Sequence, residues 1–412
     1  MALVVQKYGG TSVGDPERIR NVARRVVETR RAGNDVVVCV SAMSGETNAL
    51  VALAEDLGGG APSAREYDVL VSTGEQKTIA LLSMAIHGLG VDAQSLTGGQ
   101  MGMLTDSAHR RARIERIETE RIEAVLRTGA IAVIAGFQGC DEAGNITTLG
   151  RGGSDTSAVA VACALEADVC EIYTDVDGVY TTDPRICERA RKLDRISYDE
   201  MLEMASLGAK VLQTRSVKFA KRYGLPVHVR SSFDSSEGTW VVREEDVMER
   251  LVVSGITCNR DEAKIRVRGV KDQPGIASII FAPLADAGIV VDMIIQNMGS
   301  DAATDMTFTV PRGDYSQALE IARRACEGVG AEGVEGDDQV AKVSIVGLGM
   351  KDHAGVASRM FSVLATEGIN IQMISTSEIK VSVVIDEKYG ELAVRALHAE
   401  FVEESEEARP AG

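Results

Sequence analysis

The feature that most constrains this chain is a repeat. Residues 270–294 read VKDQPGIASIIFAPLADAGIVVDMI and residues 350–374 read MKDHAGVASRMFSVLATEGINIQMI, an offset of 80 with 12 of 25 positions identical and no gap. Self-similarity at a fixed offset means one supersecondary unit used twice. Each copy follows a short apolar run, AKIRVRGV at 263–270 and AKVSIVGL at 341–348, and precedes a β-rich one, TDMTFTV at 304–310 and KVSVVID at 380–386. Helical stretches come next, near 314–327 and 387–402. The predicted order in each copy is strand, loop, helix, strand, strand, helix, with room for a last strand. In the first helix Ile276, Ile279, Ile280 and Leu284 recur at helical spacing, as Val356, Met360, Phe361 and Leu364 do in the second copy. Asp272 and Asp352 each lead into a glycine that opens the helix, an arrangement that leaves backbone N–H groups facing a ligand or the other copy. Gly288 and Gly368 close it. Two readings of the pair stand: a ligand sensor, or a dimerisation surface.

The remaining 245 or so residues alternate strands and helices, the pattern of an α/β sandwich with a largely parallel sheet. LVVQKY (3–8) is a short apolar strand followed by GGTSVG and then a helix with Asp15 as N-cap and Pro16 at its first position. Ile19, Val22, Val26 and Val27 form its apolar face; Arg18, Arg24, Arg25 and Arg31 are expected on a solvated surface. VVVCV (36–40) is the next buried strand, leading to SAMSGETN, and 58–66 reads as an exposed loop. Gly9 and Gly10, after a strand and before a helix, let backbone N–H groups approach a phosphate, and Lys7 reaches the same anion. A K-x-G-G turn is equally a plain tight turn, and neither a Walker loop nor a Rossmann G-x-G-x-x-G is present.

Further polar clusters follow apolar runs. VLVSTGEQKT (69–78) reads as a strand-to-helix junction holding Ser72, Thr73 and Glu75, with Thr73 a candidate cap. VIAGFQG (133–139) leads to TTLGRGGSDTSAVAVACAL (147–165). There Gly150, Gly152 and Gly153 surround Arg151, whose planar fork suits a carboxylate. Asp155 is either a helix cap or a functional group. CEIYTDVDGVYTTDPR (170–185) reads as a hairpin turning at Asp177-Gly178, or as a nucleotide edge with Thr174, Asp175, Tyr180 and Arg185. Lys210 in SLGAKVLQ is by itself an ordinary surface lysine.

Composition excludes several classes. A net charge of −17 over 412 residues argues against non-specific binding of nucleic acid or anionic membrane. No run approaches the ~20 apolar residues of a membrane span, and residues 1–10 lack a signal-peptide pattern. Seven scattered cysteines without C-x-x-C, and five dispersed histidines without H-E-x-x-H, give neither a disulfide framework nor a metal-ligand spacing. Free buried thiols in a reducing cytoplasm are expected, with no protein-ligated metal.

The repeat resembles the ACT domain, a ferredoxin-like α+β module that binds small molecules, often amino acids, at paired interfaces. The motifs KYGGTSV, VSAMSGETN, STGEQ, GFQG, TTLGRGGSDT, YTDVDGVYTTDPR and GAKVL, in this order before two ACT-like repeats, resemble the aspartate kinases of the monofunctional type. The resemblance implies an amino-acid kinase αβα sandwich at 1–245 and a linker at 246–262 that adds a strand to the second ACT domain. It further implies ACT domains at 263–336 and 337–405 and an acidic tail at 406–412. The implied reaction is ATP plus L-aspartate to 4-phospho-L-aspartate plus ADP, the first step toward lysine, threonine, methionine and diaminopimelate, with Mg²⁺ as cofactor. Lys7, Gly9 and Gly10 then hold ATP phosphates, with Lys7 and Asp155 catalytic, and Thr174, Asp175, Tyr180, Arg185 and Lys210 contact the nucleotide. Ser41, Thr47, Glu75, Phe137, Arg151, Ser154 and Asp155 bind aspartate, Arg151 at the α-carboxylate and Glu75 at the amino group. Lysine, threonine or both act as feedback inhibitors, through Asp272, Gly275, Ile276, Ala277, Gln296 and Asn297 in the first copy and Asp352, Gly355, Asn370 and Ile371 in the second. A homo-oligomer through the ACT domains is implied. Met248 is either an internal start for a regulatory subunit or an ordinary linker methionine. The alternatives are another amino-acid kinase, acting on acetylglutamate or glutamate, and a non-catalytic amino-acid sensor.

The acceptor carboxylate, with a pKa near 4, is already ionised at neutral pH. The reaction therefore needs no general base, only alignment and charge neutralisation.

Overall fold

Val4, Val5, Val36–Val38, Ile131–Ile134 and Ile172 are almost wholly buried. Such continuous apolar runs belong to parallel strands covered on both faces. In the computed structural model they lie in an eight-stranded sheet ordered Arg195–Ser197, Thr239–Val242, Val227–Ser231, Val169–Thr174, Leu3–Tyr8, Asp35–Val40, Ile131–Ala135 and Ala93–Leu96. Every pairing is parallel except that of Val227–Ser231 with Thr239–Val242. The structure describes residues 1–209, 211–247, 252–271, 273–298 and 303–403.

These residues form two compact units. The first comprises Met1–Val179, Lys192–Ala205 and Lys210–Met248; the second comprises Tyr180–Arg191, Ser206–Ala209 and Glu249–Gly412. Met248 and the stretch 404–412 lie outside the described residues.

In the first unit, Pro16–Arg31 is a helix whose N-cap Asp15 accepts a hydrogen bond from Arg18 N at 2.9 Å, and its buried face is Ile19, Val22, Ala23, Val26 and Val27. Arg25 is not a solvated charge. Its guanidinium donates to the carbonyls of Ser231 and Asp234 and lies 4.9 Å from the Tyr173 ring centre.

The expected junction at 69–78 is instead the middle of one 24-residue helix, Ala64–His87. Ser72 and Thr73 are not caps; their hydroxyls donate back to the carbonyls of Val69 and Leu70, a local bond that a helix interior tolerates. The expected hairpin at 170–185 is also absent. Val169–Thr174 has parallel neighbours on both edges, Leu3–Tyr8 and Val227–Ser231, so no return strand pairs with it. A small second sheet, Ile114–Ile117, Met103–Thr105, Gln138–Cys140 and Ile146–Thr148, was not foreseen.

The second unit is built on a six-stranded antiparallel sheet, ordered Ile294–Met298, Ala303–Val310, Gly255–Lys271, Gly333–Val346, Lys380–Asp386 and Met373–Thr376. Its two central strands are long and shared. Residues 255–259 pair with 342–346, whereas residues 264–268 pair with 333–337 and also with the neighbouring strand of the first repeat. The repeat helices are Ile276–Asp286 and Val356–Thr366, opened by Gly275 and Gly355 at φ 95° and 92°. A left-handed N-cap is a conformation that glycine adopts without strain. Each helix closes at Gly288 or Gly368, where φ is 74° or 69°. Two cores follow the duplication, one around Ile265, Ile280, Leu284 and Phe308 and one around Ile345, Met360, Leu364 and Val383.

Candidate active site

All five central strand ends of the first unit point the same way, and the order in which the strands are laid down reverses between two of them. From Leu3–Tyr8 the chain steps to Asp35–Val40 on one side, while Val169–Thr174 lies on the other and steps away toward Val227–Ser231. In open α/β sheets the crevice at such a reversal, beyond the carboxyl ends of the strands, is where ligands bind. Gly9 and Gly10 leave one of these strands, and Thr174 and Asp175 leave the other.

Lys7 is on the strand Leu3–Tyr8, at this reversal. Its Nζ lies 2.6 Å from Asp155 Oδ1, with each side chain only about a tenth exposed (11% and 12%). Asp155 is on the first turn of the helix Gly153–Ala164, which starts after Gly152 at φ 70°. A side chain at Gly10 would meet the Ala42 carbonyl at 2.9 Å, and one at Gly136 would meet Ser154 Cβ at 2.8 Å and Cys39 Sγ at 3.0 Å. The loops after three neighbouring strands therefore touch because glycines let them. Cys39 itself is sealed below the site, and burial pushes its thiol far above the usual range.

Glu75 enters from the long helix. It is 3% exposed, its Oε1 accepts from Ala42 N at 3.0 Å, and its buried Oε2 has no protein hydrogen-bond partner among the described residues. Burial pushes its carboxyl up to about 7, against the lowering effect of the Ala42 N–H. An unmet acceptor in such a place suits an incoming cationic donor. Arg151, exposed between Gly150 and Gly152, has no carboxylate partner among the described residues. Glu75 thus presents an open acceptor, and Arg151 an exposed cation at the loop before the helix Gly153–Ala164.

Phe137 adopts φ 69°, a strained conformation for a bulky side chain. It is held there by Phe137 N donating to Ser157 Oγ at 3.0 Å and its carbonyl accepting from Leu149 N at 2.9 Å. Ser41 N donates to the Tyr8 carbonyl at 3.1 Å, and Thr47 is half-buried in the helix Glu46–Leu57 that follows. Lys7, Gly9, Gly10, Ser41, Glu75, Phe137, Ser154 and Asp155 are therefore linked by direct or one-residue contacts. Gly9 N donates at 3.4 Å to the carbonyl of Tyr173, the residue before Thr174 and Asp175. Tyr180 and Arg185 belong to the second unit, where Arg185 makes a two-bond pair with Asp183, 3.0 and 2.7 Å. Lys210 lies outside the described residues.

Two charged residues of this region escaped the sequence reading. Asp68 is fully buried and accepts from His109 Nδ1 (2.9 Å), Arg110 N, Thr148 N and Thr148 Oγ1 (2.6 Å). Arg215 donates to the carbonyls of Leu149 and Ala112 at 3.3 and 3.1 Å. Together they pin the strand that ends just before Arg151. A helix-face reading would have found Asp68, seven positions before Glu75 on a stripe that also holds Val71, Ser72, Thr78, Ile79 and Leu82.

The amino acid kinase family matches residues 2–231, and the ACT domain matches 265–325 and 343–401. The aspartokinase of Pseudomonas aeruginosa is 61% identical over 403 residues, covering 97% of this chain and 98% of that protein. The chain belongs to the aspartokinase family. Its activity is transfer of the γ-phosphoryl group of ATP to the side-chain carboxylate of L-aspartate, the step that opens lysine, threonine, methionine and diaminopimelate synthesis. Two solved structures of Escherichia coli aspartokinase III share the architecture. One, with aspartate and ADP (R-state), is 28% identical over 96% of this chain and 99% of that one, with TM-score 0.82. The other, with lysine and aspartate (T-state), is 27% identical over 97% and 99%, with TM-score 0.74. No helix among the described residues of this aspartokinase is long and apolar enough to cross a membrane.

Proposed function

We propose that aspartate is held between Glu75 and Arg151 while ATP lies over the Gly9-Gly10 turn. The observation that carries this reading is Glu75 Oε2, a buried carboxylate oxygen without a donor among the described residues. The substrate ammonium supplies that donor, and the exposed Arg151 fork takes the α-carboxylate. Ser41, Thr47, Phe137 and Ser154 shape the space for the side chain. Its carboxylate attacks the γ-phosphorus directly, being already ionised.

Lys7 moves its charge between Asp155 and the transferring phosphoryl group. Asp155 keeps the ammonium aimed into the crevice rather than accepting a proton. Thr174 and Asp175 hold the nucleoside end. Mg²⁺ fits this donor set as a cation carried in on ATP, since it prefers phosphate and water oxygens and Asp155 is already committed to Lys7. When bound it neutralises charge on the phosphate chain.

The ACT pair serves as the sensor. Gly275, Ile276 and Ala277 start one repeat helix, and Gly355 starts the other. Gln296 and Asn297 are exposed on an edge strand, and Asn370 and Ile371 lead to the opposite edge. Asp272 and the Asp352 side chain lie outside the described residues. Lysine, threonine or both are the effectors, and an inhibitor must bind the inactive arrangement more tightly than the active one. Exposed Ile294 and Ile374 on the two edge strands favour a homo-oligomer joined there. The enzyme works in the cytoplasm.

The test is an acceptor screen with ATP and aspartate, glutamate or acetylglutamate, trapping the acyl phosphate with hydroxylamine. Glu75→Gln is expected to raise KM for aspartate and leave KM for ATP unchanged; equal changes in both would remove Glu75 from the amino-acid side. Titration of the activity with lysine, threonine and their mixture tests the sensor, and indifference to all three would refute it.

A further inference from the structure

The second unit contains a cluster that the kinase reaction does not use. Cys187, His398 and Glu403 bring a sulfur, a ring nitrogen and a carboxylate oxygen within 4.8 Å of one another. Cys187 and His398 are buried, 5% and 0% exposed. Cys187 is more than two hundred positions from His398 and Glu403 in sequence, so no spacing motif announces the three together.

We propose that these three side chains bind one divalent cation of borderline softness, with Zn²⁺ the fitting ion. Mixed thiolate, imidazole and carboxylate donors suit Zn²⁺, which three protein ligands hold with a water in the fourth position. The arrangement around the cluster is that of a supported ligand set. His398 Nε2 lies 2.9 Å from Thr181 Oγ1, and that hydroxyl oxygen also accepts from Arg191 N at 3.0 Å. With the ion bound, Nε2–H would donate to Thr181 Oγ1 and leave the lone pair of Nδ1, 3.2 Å from Glu403 Oε1, for the metal. The other carboxylate oxygen, Oε2, is held by Arg189 Nη1 at 2.5 Å. Imidazole and carboxylate thus each keep one atom for the cluster while the far atom is fixed by a neighbour, as outer partners of metal ligands do.

The backbone contributes as well. Ala399–Glu403 is wound as a π-helical turn, and such turns cluster at functional sites. It places Glu403 beside His398, five residues earlier. Thiolate and carboxylate together balance the two charges of the ion. Binding replaces the S–H bond of Cys187 by an S–Zn bond, and the proton leaves to solvent. The ion would tie residues 180–191 to the end of the second repeat, so its expected effect is on stability.

The full-length protein, stripped with a chelator and dialysed, is titrated with Zn²⁺ and separately with Co²⁺. One equivalent of Zn²⁺ is expected to bind and raise the thermal midpoint, and Co²⁺ is expected to give a thiolate charge-transfer band. Cys187→Ser is expected to abolish the band, while Cys140→Ser, at a thiol in the other unit, retains it. Glu403→Gln keeps the shape and is expected to weaken Zn²⁺ about tenfold or more, and Thr181→Val to weaken it about tenfold. A band that survives Cys187→Ser overturns the proposal. So does Zn²⁺ affinity unchanged in Glu403→Gln, or the failure of the wild-type chain to bind Zn²⁺ or shift its midpoint.

Discussion

Two buried lysines divide the molecule by purpose. Lys7, in the first unit, faces one carboxylate, Asp155, at the end of a strand beside two glycines. Lys342, in the second, is 4% exposed at the middle of the six-stranded sheet and ion-pairs with both Glu262 and Asp292. Burial opposes the charge on Lys342, yet its two carboxylates outweigh that and hold its pKa above the ordinary lysine value. The contacts are chemically alike, but their surroundings differ. Lys7 adjoins a crevice where a polyanion enters, so its partner can change. Lys342 has its carboxylates supplied by the fold and joins Glu262, on the shared strand, to Asp292 of the first repeat. A buried ion pair is therefore a functional signal only when something beside it is left open.

The largest effect that tests this contrast is on turnover. Lys7→Met is expected to lower kcat about 10³-fold or more, the scale of losing a donor to developing charge. Its loss of stability should be smaller than that of Lys342→Met, because water reaches Asp155 from the crevice. Steady-state kinetics and denaturant unfolding on the same samples check both parts. Equal destabilisation by the two variants would erase the distinction.

Lys342→Met is expected to cost about 3–5 kcal/mol, since it strands Glu262 without its cation. Because an apolar replacement of a whole buried pair is often neutral, the double variant Lys342→Met/Glu262→Met should recover much of that loss. Unfolding midpoints of the single and double variants decide it. No recovery would mean that Asp292 alone sets the requirement.

Asp68 tests the contrast from the other side, as a buried charge in the catalytic unit with every bond satisfied internally. Asp68→Asn turns an acceptor-only group into one with two donors facing the N–H groups of Arg110 and Thr148. The expected cost is about 1–3 kcal/mol. KM for aspartate should rise more than KM for ATP, because the pinned strand leads to Arg151. If both constants stay unchanged, Asp68 supports the fold alone.

What the sequence made legible follows from where its constraints are local. The duplication at offset 80, the capping of Pro16–Arg31 and the glycine-opened helices are local patterns, and each is found where the spacing puts it. Gly9, Gly10, Arg151 and Asp155 stand out in the sequence as glycines and charges next to apolar runs. The helix Ala64–His87 was misread at its middle because Val69–Leu70–Val71 and the hydroxyls of Ser72 and Thr73 imitate a strand end. Local propensity yielded there to packing across the whole helix. The dual pairing of Gly255–Lys271, the grip of Asp68 and the gathering of Cys187 with His398 and Glu403 are all products of long-range contact. No window of neighbouring residues contains them.

The smallest expected effect concerns Glu75, the group whose open oxygen makes the first unit a binding site. Its carboxyl is raised to about 7 by burial, above its ordinary 4.5, so near neutral pH the ligand-free enzyme is only partly ionised there. An incoming ammonium needs the charged form. KM for aspartate should therefore fall by about tenfold between pH 6 and pH 8, as the ionised fraction rises from about a tenth to about nine tenths. Stability moves the other way. The folded state keeps a proton that the unfolded chain has lost between about 4.5 and 7, so this group's contribution declines as pH rises through that window. Glu75→Gln should flatten both profiles, with KM for aspartate high at every pH. Lys342 provides the contrast, its carboxylates being supplied by the fold at neutral pH, and Lys342→Met should leave the pH slope of KM intact. A slope that persists in Glu75→Gln would assign the titration to another group and leave the buried oxygen without a role in binding.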